Sequence, residues 1–168
     1  YGGTSIIVSR YDNLGGVLWT QQHGASPLAW GIGVAVGGGD CYVTGFFHGS
    51  INFDGTTLTS SGQSDIFVAK YNSLGVLLWV RKAGGAGADH GLGVAANGVA
   101  CYITGFFTGT AMFDATTVTS LGSSDTFVAK YSSSGSLTWV VRAGGVGSLD
   151  NGSDIGLDAL DHVYVAGR

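Results

Sequence analysis

Glutamate is missing from this 168-residue chain, and proline occurs once. All 11 acidic residues are therefore Asp, the acid that favours turns and caps over helix interiors. Charge is scarce: 11 % of residues carry it, against about 25 % in an ordinary globular domain. The seven basic residues are scattered and the net charge is −4. Binding to nucleic acid or to an anionic membrane surface needs clustered Lys and Arg, so neither partner is expected. The most apolar stretch, Val76–Val80, falls far short of the roughly 18 residues of a membrane span. No membrane insertion is expected. No signal peptide is visible and the first residue is not Met, which reads as a mature or excised segment.

What the chain does have is glycine (31 residues) and 45 % hydrophobic residues. That combination fits many tight turns around an ample core. It points to an all-β protein.

The chain also repeats at a spacing of 60 residues. Ile66–Tyr71 reads IFVAKY and Thr126–Tyr131 reads TFVAKY, with a weaker copy, IIVSRY, at Ile6–Tyr11. Trp19, Trp79 and Trp139 keep the same spacing, as do Cys41 and Cys101 within CYVTGFF and CYITGFF. Laying residues 31–80 over 91–140 without a gap leaves most positions identical. Such repeats are supersecondary units that bury their apolar faces by stacking on a neighbour. Cys41 and Cys101 occupy one position that Val163 fills in the third unit. They read as apolar packing residues, too far apart to form a disulfide.

Each unit contains four strand-like runs. Gly91–Ala96 leads through the turn Asn97-Gly98 into Cys101–Phe107, a hairpin signal. Thr126–Tyr131 and Leu137–Arg142 follow, joined by Ser132–Ser136. The segment between the two pairs, Gly109–Asp125, suggests a further small hairpin or an ordered loop. The run Thr126–Tyr131 is apolar on both faces, so its sheet is expected to be covered on both sides. Four-stranded sheets stacked face to face at a fixed period are β-propeller blades; an open β-solenoid is the alternative. The units divide the chain into a half blade at 1–30, full blades at 31–90 and 91–150, and a half blade at 151–168. That amounts to about three blades' worth, below the usual number for a ring. Either the chain belongs to a longer propeller, or two copies pair their half blades into a six-bladed ring.

Three motifs, GIGVAVGGGDCYVTG (Gly31–Gly45), DIFVAKYNSLGVLLWVRKAGG (Asp65–Gly85) and DIGLDALDHVYVAG (Asp154–Gly167), resemble the bacterial β-propeller repeat family called SBBP, itself similar to NHL-type blades. The first unit departs from that pattern, with Ser5 for the Asp and Gln21-Gln22-His23-Gly24 for the RKAGG element. The resemblance implies a propeller from a secreted or cell-surface bacterial protein, and it implies no defined activity.

Candidate chemistry is sparse. Gly91–Ala96 fits a loose G-x-G-x-x-A dinucleotide pattern, but it is itself a strand leading into a hairpin, not a turn opening a helix. Asp89-His90 could orient an imidazole, and the loop before a first strand places Asp89, His90 and Trp30 where a ligand would meet them. The same Asp-His pair also reads as solvated turn residues, with Asp89 aligned to Ala29 and Gly152, and His90 to Trp30 and Ser153, in the other units. Trp30, at a position that varies between units, could stack on a sugar ring or a partner. Asp150, Asn151 and Asp154 form part of the densest acidic stretch and could supply oxygens to a Ca²⁺ ion; a turn rich in capping residues accounts for them equally. Neither a zinc spacing among His23, His48, His90 and His162 nor a catalytic constellation is present. The expected function is a non-catalytic scaffold for adhesion, assembly or protein interaction, with a carbohydrate-binding module as the alternative. No cofactor is expected beyond that possible calcium.

Overall fold

The computed structural model describes residues 4–147 and 149–168, without the side chains of Ala25 and Ser26. Among the described residues the chain is all-β, with no helix. Its strands are β1 (Thr4–Tyr11), β2 (Val17–Ser26), β3 (Leu28–Gly37), β4 (Asp40–His48), β5 (Ser50–Phe53), β6 (Thr56–Thr59), β7 (Asp65–Tyr71) and β8 (Leu77–Gly85). They continue with β9 (His90–Ala96), β10 (Ala100–Phe107), β11 (Thr110–Phe113), β12 (Thr116–Thr119), β13 (Asp125–Ser132), β14 (Leu137–Ala143), β15 (Gly152–Leu157) and β16 (Val163–Gly167). All pairings between these strands are antiparallel.

The strands form where β-branched and aromatic residues alternate with small ones, and they end at turns with a local chemical cause. Asn97 Oδ1 accepts hydrogen bonds from the amides of Val99 and Ala100, closing the β9–β10 turn. Asn72 closes the β7–β8 turn in the same way, through the amides of Leu74 and Val76. These side chains mimic a backbone turn, which is why Asn and Asp recur there.

Two four-stranded arrays follow one another, β3-β4-β7-β8 and β9-β10-β13-β14. The β1-β2 pair corresponds to the last two strands of such an array and β15-β16 to the first two. The segment Gly109–Asp125 contains a hairpin, β11-β12. It adds to the outer strand of the preceding array, with Ala111, Met112 and Phe113 opposite Gly85, Gly84 and Ala83. The first sheet is thereby six-stranded, in the order β12-β11-β8-β7-β4-β3. Its partner hairpin β5-β6 packs against β2.

The sheets stack face to face, β3 against β9 and β9 against β15. Strand β7 is buried along its whole length, as its two apolar faces require. One core cluster, built around Ile66, Ile103, Phe107 and Phe127, lies between the two arrays. A second, around Ile6, Phe47, Phe53 and Phe67, lies between β1-β2 and the first array. Each such side chain contributes roughly 2 kcal/mol through burial. Cys41 and Cys101 are free thiols inside this packing, and burial pushes the Cys101 thiol up to about 12.

The recurrent tryptophans join successive units. Trp79 Nε1 donates to Ser133 O at 3.0 Å, and Trp19 Nε1 donates to Ser73 O at 3.1 Å. Each ring covers the turn glycine of the next unit: a Cβ at Gly135 would lie 2.7 Å from Trp79 Cδ2. Trp139 packs with Tyr102, at 6.1 Å between centroids. The structure thus uses these three residues for packing, as the repeat suggests.

Candidate binding site at the aromatic row

At the end of the sheets where β3 and β9 begin, four aromatic side chains form a row across the two arrays. Trp30 and Phe46 are opposite one another in β3 and β4, with ring centroids 5.8 Å apart. Phe46 then stacks on His90 of the next array, at 3.6 Å and only 3° from parallel. His90 and Phe106 are the corresponding opposed pair of β9 and β10, at 4.7 Å. Each such contact contributes about 0.5–1.5 kcal/mol beyond burial. Phe46 is buried, His90 and Phe106 are half-buried, and Trp30, 55 % exposed, ends the row in solvent.

Trp30 was expected in a loop. It stands instead in β3, because Leu28 onward already pairs with β4. Asp89 and His90 are not solvated turn residues. His90 opens β9, and its Nε2 lies 2.9 Å from Ser64 Oγ. Burial lowers its pKa to about 4, so the ring is neutral at physiological pH.

Asp89 has no exposed surface. Its carboxylate accepts from the amides of Gly85 (2.7 Å) and Thr108 (3.0 Å), and its own amide donates to Ser64 O. One side chain thereby ties the end of β8 to the end of β10. Beside it lies Asp65, which takes Lys82 Nζ at 2.9 Å and the Ser61 amide at 3.0 Å. Both carboxylates crowd the inner side of Gly84, whose φ is +146°, and a Cβ there would lie within 3.0 Å of each. Burial raises the Asp89 pKa to about 6; the two amide donors pull it down and the charge of Asp65 pushes it up.

The same node recurs one unit later with Asp125, Arg142 and Asp150. Arg142 Nη1 lies 2.6 Å from Asp125 Oδ2, and the Gly145 amide donates to Asp150 Oδ2. Burial opposes ionisation of Asp125, but the bonds from Arg142 and from the amides of Leu121 and Gly122 outweigh it and hold its pKa low.

This recurrence corrects the alignment of the third unit. Asp150, not Gly152, occupies the place of Asp89, and Asn151, not Ser153, occupies that of His90. The glycine just before each strand bulge (Gly31, Gly91, Gly152) fixes the correspondence.

The proposed calcium ligands are engaged separately. Asp150 caps Gly145, Asn151 Oδ1 accepts from Ser153 Oγ, and Asp154 Oδ1 accepts from the Ile155 amide. No group of three or more His, Cys, Asp or Glu side chains that could hold a metal occurs among the described residues.

Where Asn151 replaces an aromatic ring, the row stops and a groove of about 330 Å³ opens beside Phe106, lined by Thr108, Ser124, Asn151 and Arg168. Phe46 and Phe106 escaped the sequence reading. The doubled Phe of each CY(V/I)TGFF motif was the available signal, since adjacent strand residues face opposite sides of a sheet. Phe47 and Phe107 fill the core, while Phe46 and Phe106 turn toward the row. No protein-family model matches this chain, and no curated protein matches it.

Proposed function

We propose that the chain is a run of β-propeller blades acting as a non-catalytic binding scaffold, with the aromatic row as its contact surface. The supporting observation is the row itself: rings from two successive arrays meet in one line, and its last member projects into solvent. Face-to-face stacking of equivalent arrays supports the blade reading. The motifs shared with SBBP repeats are the support for a secreted or cell-surface bacterial setting. Asp89 and His90, the residues closest to an acid–base pair, contribute by holding the surface in place: one ties two strands together, the other extends the row.

A carbohydrate-binding module is the second reading, and exposed Trp30 favours it, because a flat ring backed by Phe46 suits stacking on the apolar face of a sugar. A glycan array read with the folded chain and with Trp30→Ala separates the two. A signal lost in Trp30→Ala supports carbohydrate binding, and no signal from the folded chain leaves the protein-interaction scaffold. Turnover of any ester, glycoside or peptide substrate that disappears in Asp89→Asn would overturn both.

A further inference from the structure

The free edges of β1 and β16 are complementary. In both complete arrays the second strand pairs with the third in one register. Cys41, Tyr42 and Val43 face Tyr71, Lys70 and Ala69; Cys101, Tyr102 and Ile103 face Tyr131, Lys130 and Ala129. Strand β16 is a second strand without a third, and β1 a third strand without a second, among the described residues. Transferring the internal register sets Val163, Tyr164, Val165 and Ala166 of β16 opposite Tyr11, Arg10, Ser9 and Val8 of β1.

The side chains agree with that register. Lys70 Nζ lies 5.3 Å from the centre of the Tyr42 ring and 2.9 Å from Asp40 Oδ2, while also donating to Ser133 O. Lys130 lies 5.1 Å from the centre of the Tyr102 ring. Arg10 already makes the corresponding bond to Ser73 O. The ring it lacks is an aromatic residue on the missing strand, which is what Tyr164 supplies; Asp158, hydrogen-bonded to Tyr164 Oη, brings a carboxylate beside it.

The neighbouring face shows the same vacancy. On β9, Val94 packs toward the preceding array. Val34, its counterpart on β3, and Val36, the counterpart of Ala96, are 67 % and 70 % exposed. They line two grooves along β1, of about 230 and 510 Å³, together with Ile7, Ser9, Arg10 and Tyr11. Internally, small residues on one first strand receive large ones from the next, as Gly93 and Ala95 receive Ile155. Gly156 of β15, with open space where its Cβ would be, offers the corresponding small position to Val34 and Val36. Asp154, standing where Gly33 and Gly93 do, is the one departure.

We propose that a second copy of this chain lays its β15-β16 hairpin along β1, in the order β2-β1-β16-β15 with the register above. The first copy's hairpin does the same on the second, so the pair closes with two-fold symmetry. The proposal rests on the blade reading and names the occupant of its open ends.

Light scattering on the 168-residue chain should give a species of twice 17.0 kDa. In a Cys41→Val background, Ser9→Cys with Val165→Cys should oxidise to a covalent dimer, and Ser9→Cys with Tyr164→Cys, one residue out of register, should not. Val34→Asp alters a side chain that is exposed in the single copy, so it should keep the β-sheet spectrum while shifting the mass to 17.0 kDa. A folded wild-type monomer, growth beyond two copies, or equal cross-linking by both cysteine pairs would overturn the proposal. None of these outcomes bears on glycan or protein binding at Trp30, which the array tests separately.

Discussion

His23 Nε2 and Tyr71 Oη lie 2.7 Å apart in the core between β2 and the first array, both fully enclosed. One unit later the histidine is Ala83, and Tyr131 Oη makes no hydrogen bond among the described residues. The same buried hydroxyl thus occurs once with a partner and once without.

Tyr71→Phe should therefore cost about 1–2 kcal/mol, since it leaves His23 Nε2 buried and unpaired. Tyr131→Phe should be neutral or slightly stabilising, because it removes a hydroxyl that is desolvated for no bond. Urea midpoints of the two variants check this. Equal losses would contradict the asymmetry.

Acid should act on His90 and Asp89 in opposite directions. The folded His90 resists protonation until about pH 4, whereas an unfolded histidine takes its proton near 6.5. Its contribution to stability is present above about pH 6.5 and is lost as pH falls toward 4. Asp89, with its pKa raised to about 6, holds its proton longer in the folded chain than in the unfolded one. Its contribution is present below about pH 4 and is lost as pH rises through 6. On acidification from pH 6.5 to 4, His90→Phe should lose less stability than the wild type, by on the order of 2 kcal/mol, and Asp89→Asn should lose more. Denaturation midpoints at pH 7, 5.5 and 4 read both differences.

Gly135→Ala should destabilise by about 2 kcal/mol or more. Its φ is +81° and the added carbon would lie 2.7 Å from the Trp79 ring, so backbone strain and collision act together. Thermal unfolding measures the loss, and Gly39→Ala, at φ +86° with open space around it, isolates the strain alone.

Trp79→Ala should cost about 3–5 kcal/mol, because that ring is 9 % exposed and sits in the core. Trp30→Ala should cost about 1 kcal/mol or less, the scale of one ring contact. A large loss from Trp30→Ala would mean the ring is structural and would remove it as a contact surface.

Much of the fold was legible because the repeat shows each unit more than once. A run apolar on both faces, such as Thr126–Tyr131, marked a covered strand, the Ser/Gly turn Ser132–Ser136 marked its end, and Trp139, at the spacing of Trp19 and Trp79, marked the strand after it. The site was less legible, for a physical reason. Asp89 and His90 look like turn residues in their own segment, and what buries them, Ser64, Phe46 and Thr108, lies in a neighbouring array or at the far end of another strand. Trp30 looked like a loop residue because the bulge between Gly31 and Gly33 interrupts the alternation that marks a strand. The third unit misaligned because identity fades there; the hydrogen bonds of Asp150, more durable than the letters, restore the frame.

The hairpin β11-β12 continues a sheet that began in the previous unit, so main-chain hydrogen bonds cross the boundary that the repeat draws. A protease cutting residues 86–88 would sever the covalent link without freeing either side. The nicked chain should stay assembled and melt in one step, and removing the single 60-residue period 31–90 from the gene would set β11-β12 against β2, where β5-β6 packs now. For this chain, the period of the sequence and the unit that unfolds are different lengths.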